Sequence, residues 1–357
     1  MQVAAVIAEW NPLHRGHLLP IMAAKAQGAT HIAAIVSGNF VQRGEPALCP
    51  WQYRVTAALH SGADLVLQLP LPYAVSTAEH FAGGTVASLA ALGCVDTLVF
   101  GSECGDLAAL QAVANALNSA DFPAALAPHL AAGLPFAAAR QAAVSSLLGE
   151  RAALLSTPNN ILGIEYLRAL GWLGSPIRPL TLPRQGTPHD GSAESEYPSA
   201  SLLRQRFLSG GDISSRLPPA MAEQLQLAGA QGALPDRDLW QWAMLAHARA
   251  MTEEDFSRLP DISEGLENRL YRASRTAKTT EELLTAAKTK RYSHARLRRI
   301  LLGGMLGLPA GLSAAEPPYL RVLGFTPRGA EILAKAKTTR TLPLSASLAE
   351  LADTGDT

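Results

Sequence analysis

The sequence predicts an α/β fold built on a mostly parallel sheet, followed by a mainly α-helical C-terminal domain. Three observations predict it. Short apolar runs rich in β-branched residues alternate with helical stretches through the first half of the chain, the pattern of strands buried on both faces and joined by crossover helices. Polar, glycine-containing segments follow several of these runs, where such sheets gather their ligands. From about Leu208 the pattern turns to helices without intervening strands. The expected units are therefore residues 1–207, 208–340 and a polar, fraying tail over 341–357.

Val3–Ala8, VAAVIA, is the first buried strand. Asn11-Pro12 marks a turn, and from about Gly16 the residues Leu18, Leu19, Met22 and Ala23 share a helical face. Between strand and helix lies His14-Arg15-Gly16-His17, an H-x-G-H tetrapeptide. Such a junction presents unpaired amides and the positive end of a helix dipole, which suits an anion such as phosphate. Two imidazoles one turn apart can both reach that anion, and Gly16 lets it approach the backbone. The competing reading, two ordinary surface histidines, is weakened by the flanking strand and helix, because motif context is the test.

Residues 30–37, THIAAIVS, form a second strand, followed by a polar, glycine-flanked segment over 38–46 that cannot continue it. A helix around 53–61 leads to a third strand at 64–70, a helix over Ala78–Leu92, and a fourth strand at 96–100 that ends at Gly101-Ser102-Glu103. H-x-G-H, Ser37-Gly38-Asn39 and Gly101-Ser102-Glu103 all follow strands, so they should converge on one rim. Residues 107–155 are alanine-rich and helical by propensity, with no chemistry assigned. Thr157-Pro158-Asn159-Asn160 starts a helix reaching about 170; one Asn can cap it, leaving the other for a ligand. A short strand at 179–182 precedes residues 184–198, rich in Gly, Pro, Ser and charge, which read as a mobile loop. At Ser199-Ala200-Ser201-Leu202-Leu203-Arg204 a helix starts on a Ser. There the Ser201 hydroxyl and local amides suit β- and γ-phosphates, with Arg204 balancing charge one turn on. The bland alternative is an N-cap plus a surface Arg.

The chain has 357 residues, 48% of them apolar, enough for a large core and about two domains. No basic region precedes the first apolar run, so no signal peptide is expected, and no stretch is long enough to span a bilayer. Cys49, Cys94 and Cys104 share no disulfide or metal-ligand spacing, and a reduced, cytoplasmic protein without a zinc site is expected. Thirty basic and 30 acidic residues cancel, but the stretch 264–340 holds 15 Lys and Arg against 6 Asp and Glu. One concentrated basic end in a neutral chain suggests a polyanionic partner; a solvated, salt-bridged face is the alternative. The peak is 288–299, where Lys288, Lys290, Arg291, Arg298 and Arg299 suit RNA phosphates and the interleaved Tyr292 a stacked base.

Strand, H-x-G-H and helix together resemble the adenylyl-transferring superfamily of class I aminoacyl-tRNA synthetases and the phosphopantetheine and nicotinate-mononucleotide adenylyltransferases. The segment 199–204 resembles that superfamily's second signature, I-S-S-T-x-x-R. More narrowly, Glu9-Trp10-Asn11-Pro12-Leu13-His14-Arg15-Gly16-His17 is similar to the E-Y-N-P-F-H-x-G-H opening of bacterial tRNA(Met) cytidine acetate ligases. Segments 37–47, 101–103, 158–167, 263–268 and 288–292 resemble that family in the same order, covering about residues 1–325. Trp10 and Leu13 stand where the family has Tyr and Phe, and Thr187-Pro188-His189-Asp190 departs from its A-x-Y-H-D.

The resemblance implies a Rossmann-like HIGH-type nucleotidyltransferase domain. It implies activation of acetate by ATP to acetyl-adenylate with loss of diphosphate, then transfer of acetyl to N4 of the wobble cytidine, position 34, of elongator tRNA(Met). It places ATP against Ile7, Ala8, Glu9, Trp10, Asn11, Pro12, Leu13, His14, Arg15, Gly16, His17, Leu18, Leu19 and Pro20, and against Gly101, Asn160 and Arg184. His14 and His17 are the expected catalytic pair, Ser201, Arg204 and Arg184 the triphosphate ligands, and Mg²⁺ the ion accompanying ATP. Two other readings share the motifs: a small-molecule adenylyltransferase, which has no use for a basic helical appendage, and a non-catalytic nucleotide- or RNA-binding protein of the same fold.

Overall fold

Alternation along each strand decides which side chains face which layer. The computed structural model describes residues 1–185, 197–263 and 265–352. Its strands, in chain order, are β1 (Val3–Ala8), β2 (His31–Ser37), β3 (Phe40–Val41), β4 (Glu45–Pro46), β5 (Leu65–Leu69), β6 (Thr97–Ser102), β7 (Arg178–Pro183), β8 (Leu320–Phe325) and β9 (Leu344–Ser345). The main sheet runs β7-β6-β1-β2-β5-β8-β9, and its first five strands are parallel. Strand order reverses at β1, because β2 and β5 build outward on one side and β6 and β7 on the other. A crevice beyond the carboxyl ends of β1 and β6 is the topological switch point at which such sheets bind ligands.

Val3, Ala5, Ala33, Ile35, Leu65, Leu67 and Leu98 face helices Ala78–Leu92, Leu107–Leu117 and Pro158–Trp172. Their neighbours Ala4, Val6, Ile32, Ala34 and Val66 face helices Leu18–Ala26, Trp51–His60 and Pro219–Ala230. A separate helical core, including Met244, Leu270, Leu284, Leu297 and Leu301, lies in the C-terminal half. No helix among the described residues is long and apolar enough to cross a membrane.

Two expectations are corrected. The helical part does not continue unbroken to 340. β8 returns to pair antiparallel with β5, Leu67 opposite Val322, and helix Pro327–Thr339 packs Ile332 and Ala336 against the sheet. Only Leu320 and Val322 of β8 are buried, too few to mark a strand by period. Gly324 lies in β8, where a Cβ would stand 3.0 Å from the Val55 and Leu59 side chains. The tail does not fray from 341: β9 pairs with β8, and Leu351 of helix Leu348–Ala352 is buried, while residues 353–357 lie outside the described residues. The segment after β2 folds as the β3–β4 hairpin. Its Gly44 has φ +75°, and a Cβ there would lie 2.5 Å from the Arg299 backbone nitrogen. The hairpin is thereby wedged against helix His294–Met305.

Candidate active site

A cavity of about 270 Å³ opens at the switch point, walled by the end of β1, the turn after it, Gly101 of β6, Arg184, and Arg204 of helix Ala200–Leu208. Ile7, Ala8, Glu9, Trp10, Asn11, His14, Gly16, His17, Leu19 and Pro20 all stand on its wall. Pro12, Leu13, Arg15 and Leu18 do not; Leu13 is instead wholly buried in the core. Trp10 is buried with φ +46°, a left-handed conformation that is unfavourable for a bulky residue and persists only where surroundings over-determine it.

The two histidines are locked by backbone amides. His14 caps the one-turn 3₁₀ helix Arg15–His17, its Nδ1 accepting from the Gly16 amide at 3.1 Å, and the His17 Nδ1 accepts from the His14 amide at 3.1 Å. An Nδ1 that accepts carries no proton, so each neutral ring holds its proton on Nε2 as a hydrogen-bond donor. The rings lie 3.8 Å apart between centroids. Gly16 has to be glycine here, since a Cβ would sit 2.9 Å from His14 Cε1. Burial, then the nearby Arg184 and Arg204, pulls His14 down to about 3. Burial, then His14 and Arg184, holds His17 well below its usual value. Both are therefore neutral donors at pH 7.

A His14 held neutral makes folding pH-dependent. Between pH 6.5 and about 3 the unfolded chain holds a proton at His14 that the folded chain lacks, so stability falls as pH drops through this window. The cost is about 1.4 kcal/mol per pH unit. The melting temperature should fall between pH 7.5 and 5.5, and by visibly less in His14→Gln; equal falls in both proteins would contradict the burial of a neutral imidazole.

Arg204 is buried rather than on the surface. Its Nη1 donates to the Asn11 carbonyl at 2.7 Å and its Nη2 to Ser201 Oγ at 3.2 Å, while Nε stands 3.8 Å from Glu45. Ser199, not Ser201, caps the helix, accepting from the Leu202 amide at 3.3 Å. Ser201 is off the cavity wall, its hydroxyl oriented by Arg204. Behind the wall Arg54, also buried, donates to the carbonyls of Glu9 (2.5 Å), Ser37 (3.3 Å), Cys49 (3.2 Å) and Gly38. It ties the ends of β1 and β2 together, so Ser37-Gly38-Asn39 supports the wall without lining it. Burial pushes the Glu9 carboxyl above its ordinary value, against the Gln42 amide and the surrounding Arg204, Arg54 and Arg43.

Neither asparagine side chain caps the helix. Asn159 is on the wall, whereas Asn160 is buried, its Oδ1 accepting from the Cys104 amide at 3.1 Å. Glu103 takes the helix N-terminus, accepting from the Asn159 and Asn160 amides at 3.1 and 2.6 Å. Burial pushes its carboxyl up, and the hydrogen bonds from Asn159 and Asn160 overcome this and hold it below the usual range. Sequence reasoning missed Gln42, Phe81, Tyr166 and Leu182 on the wall. Gln42 and Tyr166 fall in the 37–47 and 158–167 segments that resemble the family, which was the available signal, while no motif marks Phe81 or Leu182. The loop readings at 186–196, including Thr187-Pro188-His189-Asp190, and Glu264 of the 263–268 segment lie outside the described residues.

The basic stretch is only partly a surface. Lys288, Lys290 and Arg291 are exposed. Arg298 pairs with Glu281 at 3.3 Å, and Arg299 is held by Asp261 at 3.6 Å and by the Gln42 carbonyl at 3.5 Å. Tyr292 is corrected from stacking platform to core residue: it is 5% exposed, and its hydroxyl donates to the Ser263 carbonyl at 3.1 Å. An aromatic among cations reads alike in sequence whether it faces out or in.

Comparisons with known proteins match this geometry. The model of the HIGH Nucleotidyl Transferase family matches residues 1–355. A relative from Syntrophotalea carbinolica is 39% identical over 98% of this chain and 86% of its own, and one from Caldanaerobacter subterraneus subsp. tengcongensis is 36% identical over 98% and 90%. Both are named tRNA(Met) cytidine acetate ligase. Among solved structures, apo Thermotoga maritima TmcAL superposes with TM-score 0.94 at 31% identity, over 100% of this chain and 89% of that one. The same protein bound with alpha-thio ATP gives 0.92 at the same identity and coverage. The chain belongs to the HIGH nucleotidyl transferases and, within them, to the tRNA(Met) cytidine acetate ligase family.

Proposed function

We propose that this chain activates acetate with ATP and transfers the acetyl group to N4 of the wobble cytidine of elongator tRNA(Met), in the cytoplasm. One observation carries the reading: neutral Nε2–H donors on His14 and His17 converge with Arg184 and Arg204 on one cavity at the switch point of the sheet. An acetate oxygen attacks the α-phosphorus, and the bond to the β-phosphate breaks with its electron pair leaving on diphosphate. Charge that builds on the non-bridging oxygens meets fixed donors, which need no reorganisation at the moment of reaction. His14 and His17 serve the α-phosphate, and Arg184 and Arg204 the departing diphosphate. Mg²⁺ accompanies ATP. Among the described residues Glu9 is the one carboxylate on the wall, and no cluster of three metal-ligating side chains occurs, which suits an ion carried mainly on phosphate oxygens. Acetate-dependent exchange of labelled diphosphate into ATP tests the first step; exchange with no acid would overturn it.

For the second step, Lys288, Lys290 and Arg291 are the exposed cations that supply phosphate contacts. Lys288→Glu with Lys290→Glu should weaken tRNA binding by about tenfold or more at physiological salt and flatten its salt dependence. The loss should fall on acetyl transfer. Equal loss in the exchange reaction would mean a folding defect instead.

A further inference from the structure

We propose that the Asn11 side-chain amide is the donor that binds the acyl oxygen of acetate and then of acetyl-adenylate, an inference that rests on the acetate-ligase reading. Asn11 is 2% exposed, stands on the cavity wall, and is held from two sides. Its Oδ1 accepts from the Leu48 amide at 2.7 Å, and its carbonyl accepts from Arg204 at 2.7 Å. An amide N–H can only donate, so the oxygen must face Leu48 and the NH₂ group must take the other side. That Nδ2 has no hydrogen-bond partner among the described residues. Burying an amide donor without a partner is unfavourable, and such exceptions point to function or strain. Here the donor is preorganised by neighbours that leave it no second choice.

Its chemistry matches the acyl oxygen better than the phosphates. The cavity already offers guanidinium groups from Arg184 and Arg204 for anionic oxygens. A neutral, desolvated donor beside buried Trp10 suits a neutral carbonyl on a small apolar group. The acyl carbon is one oxygen away from the α-phosphorus, so its carbonyl has to lie close to whatever holds that phosphate; Asn11 precedes His14 in the same turn. In the transfer step the cytidine N4 lone pair attacks the acyl carbon, and the carbonyl π pair moves onto the oxygen facing Asn11 Nδ2. The carbonyl then re-forms, the C–O bond to AMP breaks with its pair, and the departing phosphate takes the N4 proton.

Asn11→Asp keeps the oxygen that Leu48 needs and replaces the donor by an acceptor. It should lower acetyl transfer from acetyl-adenylate to tRNA by about 100- to 1,000-fold, on the scale of removing one oxyanion donor. A spectroscopic readout separates this from a structural role. In wild-type protein the infrared band of an isotope-labelled acyl carbonyl in acetyl-sulfamoyl adenosine, a stable stand-in for acetyl-adenylate, should lie below its frequency in apolar solvent. In Asn11→Asp it should move back up. An unshifted band in wild type, or acetyl transfer in Asn11→Asp close to wild type, overturns the assignment. Failure of wild type to exchange with acetate would overturn the ligase reading itself.

Discussion

His17→Ala lowers acetyl-adenylate formation by about 100-fold or more, the scale of one preorganised donor lost from a site where charge develops. The effect is expected to be larger than the loss of one contact. His17 also receives the His14 amide on Nδ1, so alanine removes both an Nε2–H donor and the acceptor that sets the turn. His17→Gln keeps a donor and an acceptor and should recover part of the rate. Because His17 is held neutral, raising the pH above 7 should leave the wild-type rate nearly level where this group limits it. Single-turnover diphosphate release measures both effects, and release at the wild-type rate in His17→Ala would remove the residue from the mechanism.

Arg204→Ala should do comparable damage by a different route. This guanidinium spans the Asn11 carbonyl, Ser201 Oγ and Glu45, linking the turn after β1 to the β3–β4 hairpin and to the helix that bears it. Removing it leaves a buried carbonyl without its charged donor, at a cost of about 1–3 kcal/mol, and deprives the phosphates of one cation. We expect a fall in adenylate formation of about 100-fold together with a lower melting temperature. Arg204→Lys should restore little of the rate, because a point charge cannot serve two partners as the planar fork does. Full activity in Arg204→Lys would show that charge alone matters at this position.

Much of this was legible in the residues. β1, β2, β5 and β6 are apolar runs of five to seven residues buried on both faces, and such runs stand out against polar flanks. H-x-G-H, Gly101, Arg184 and Arg204 come together because each lies at or just past the carboxyl end of a strand or in the first turns of a helix, and topology does the rest. What stayed hidden depends on tertiary contact. Arg54 sits among Val55, Ala57 and Ala58 on a buried helix face, and nothing local says that four carbonyls await it. Asn159 and Asn160 are interchangeable as text; Glu103, far away in sequence, decides which one faces the cavity. β8 is an antiparallel addition at the far side of the sheet, held by pairing with β5 more than by its own pattern. Tyr292 was misread because a stripe of cations masks the period that buries it.

One reaction tests the acetate-ligase function most directly: incubation of the chain with ATP, labelled acetate and elongator tRNA(Met), then digestion to nucleosides. The predicted result is labelled N4-acetylcytidine at the wobble position, formed only when ATP, acetate and that tRNA are all present. Acetyl-adenylate formed without any acetylated nucleoside would contradict the assignment of the tRNA as acceptor, and no turnover of ATP with acetate would contradict the central claim outright.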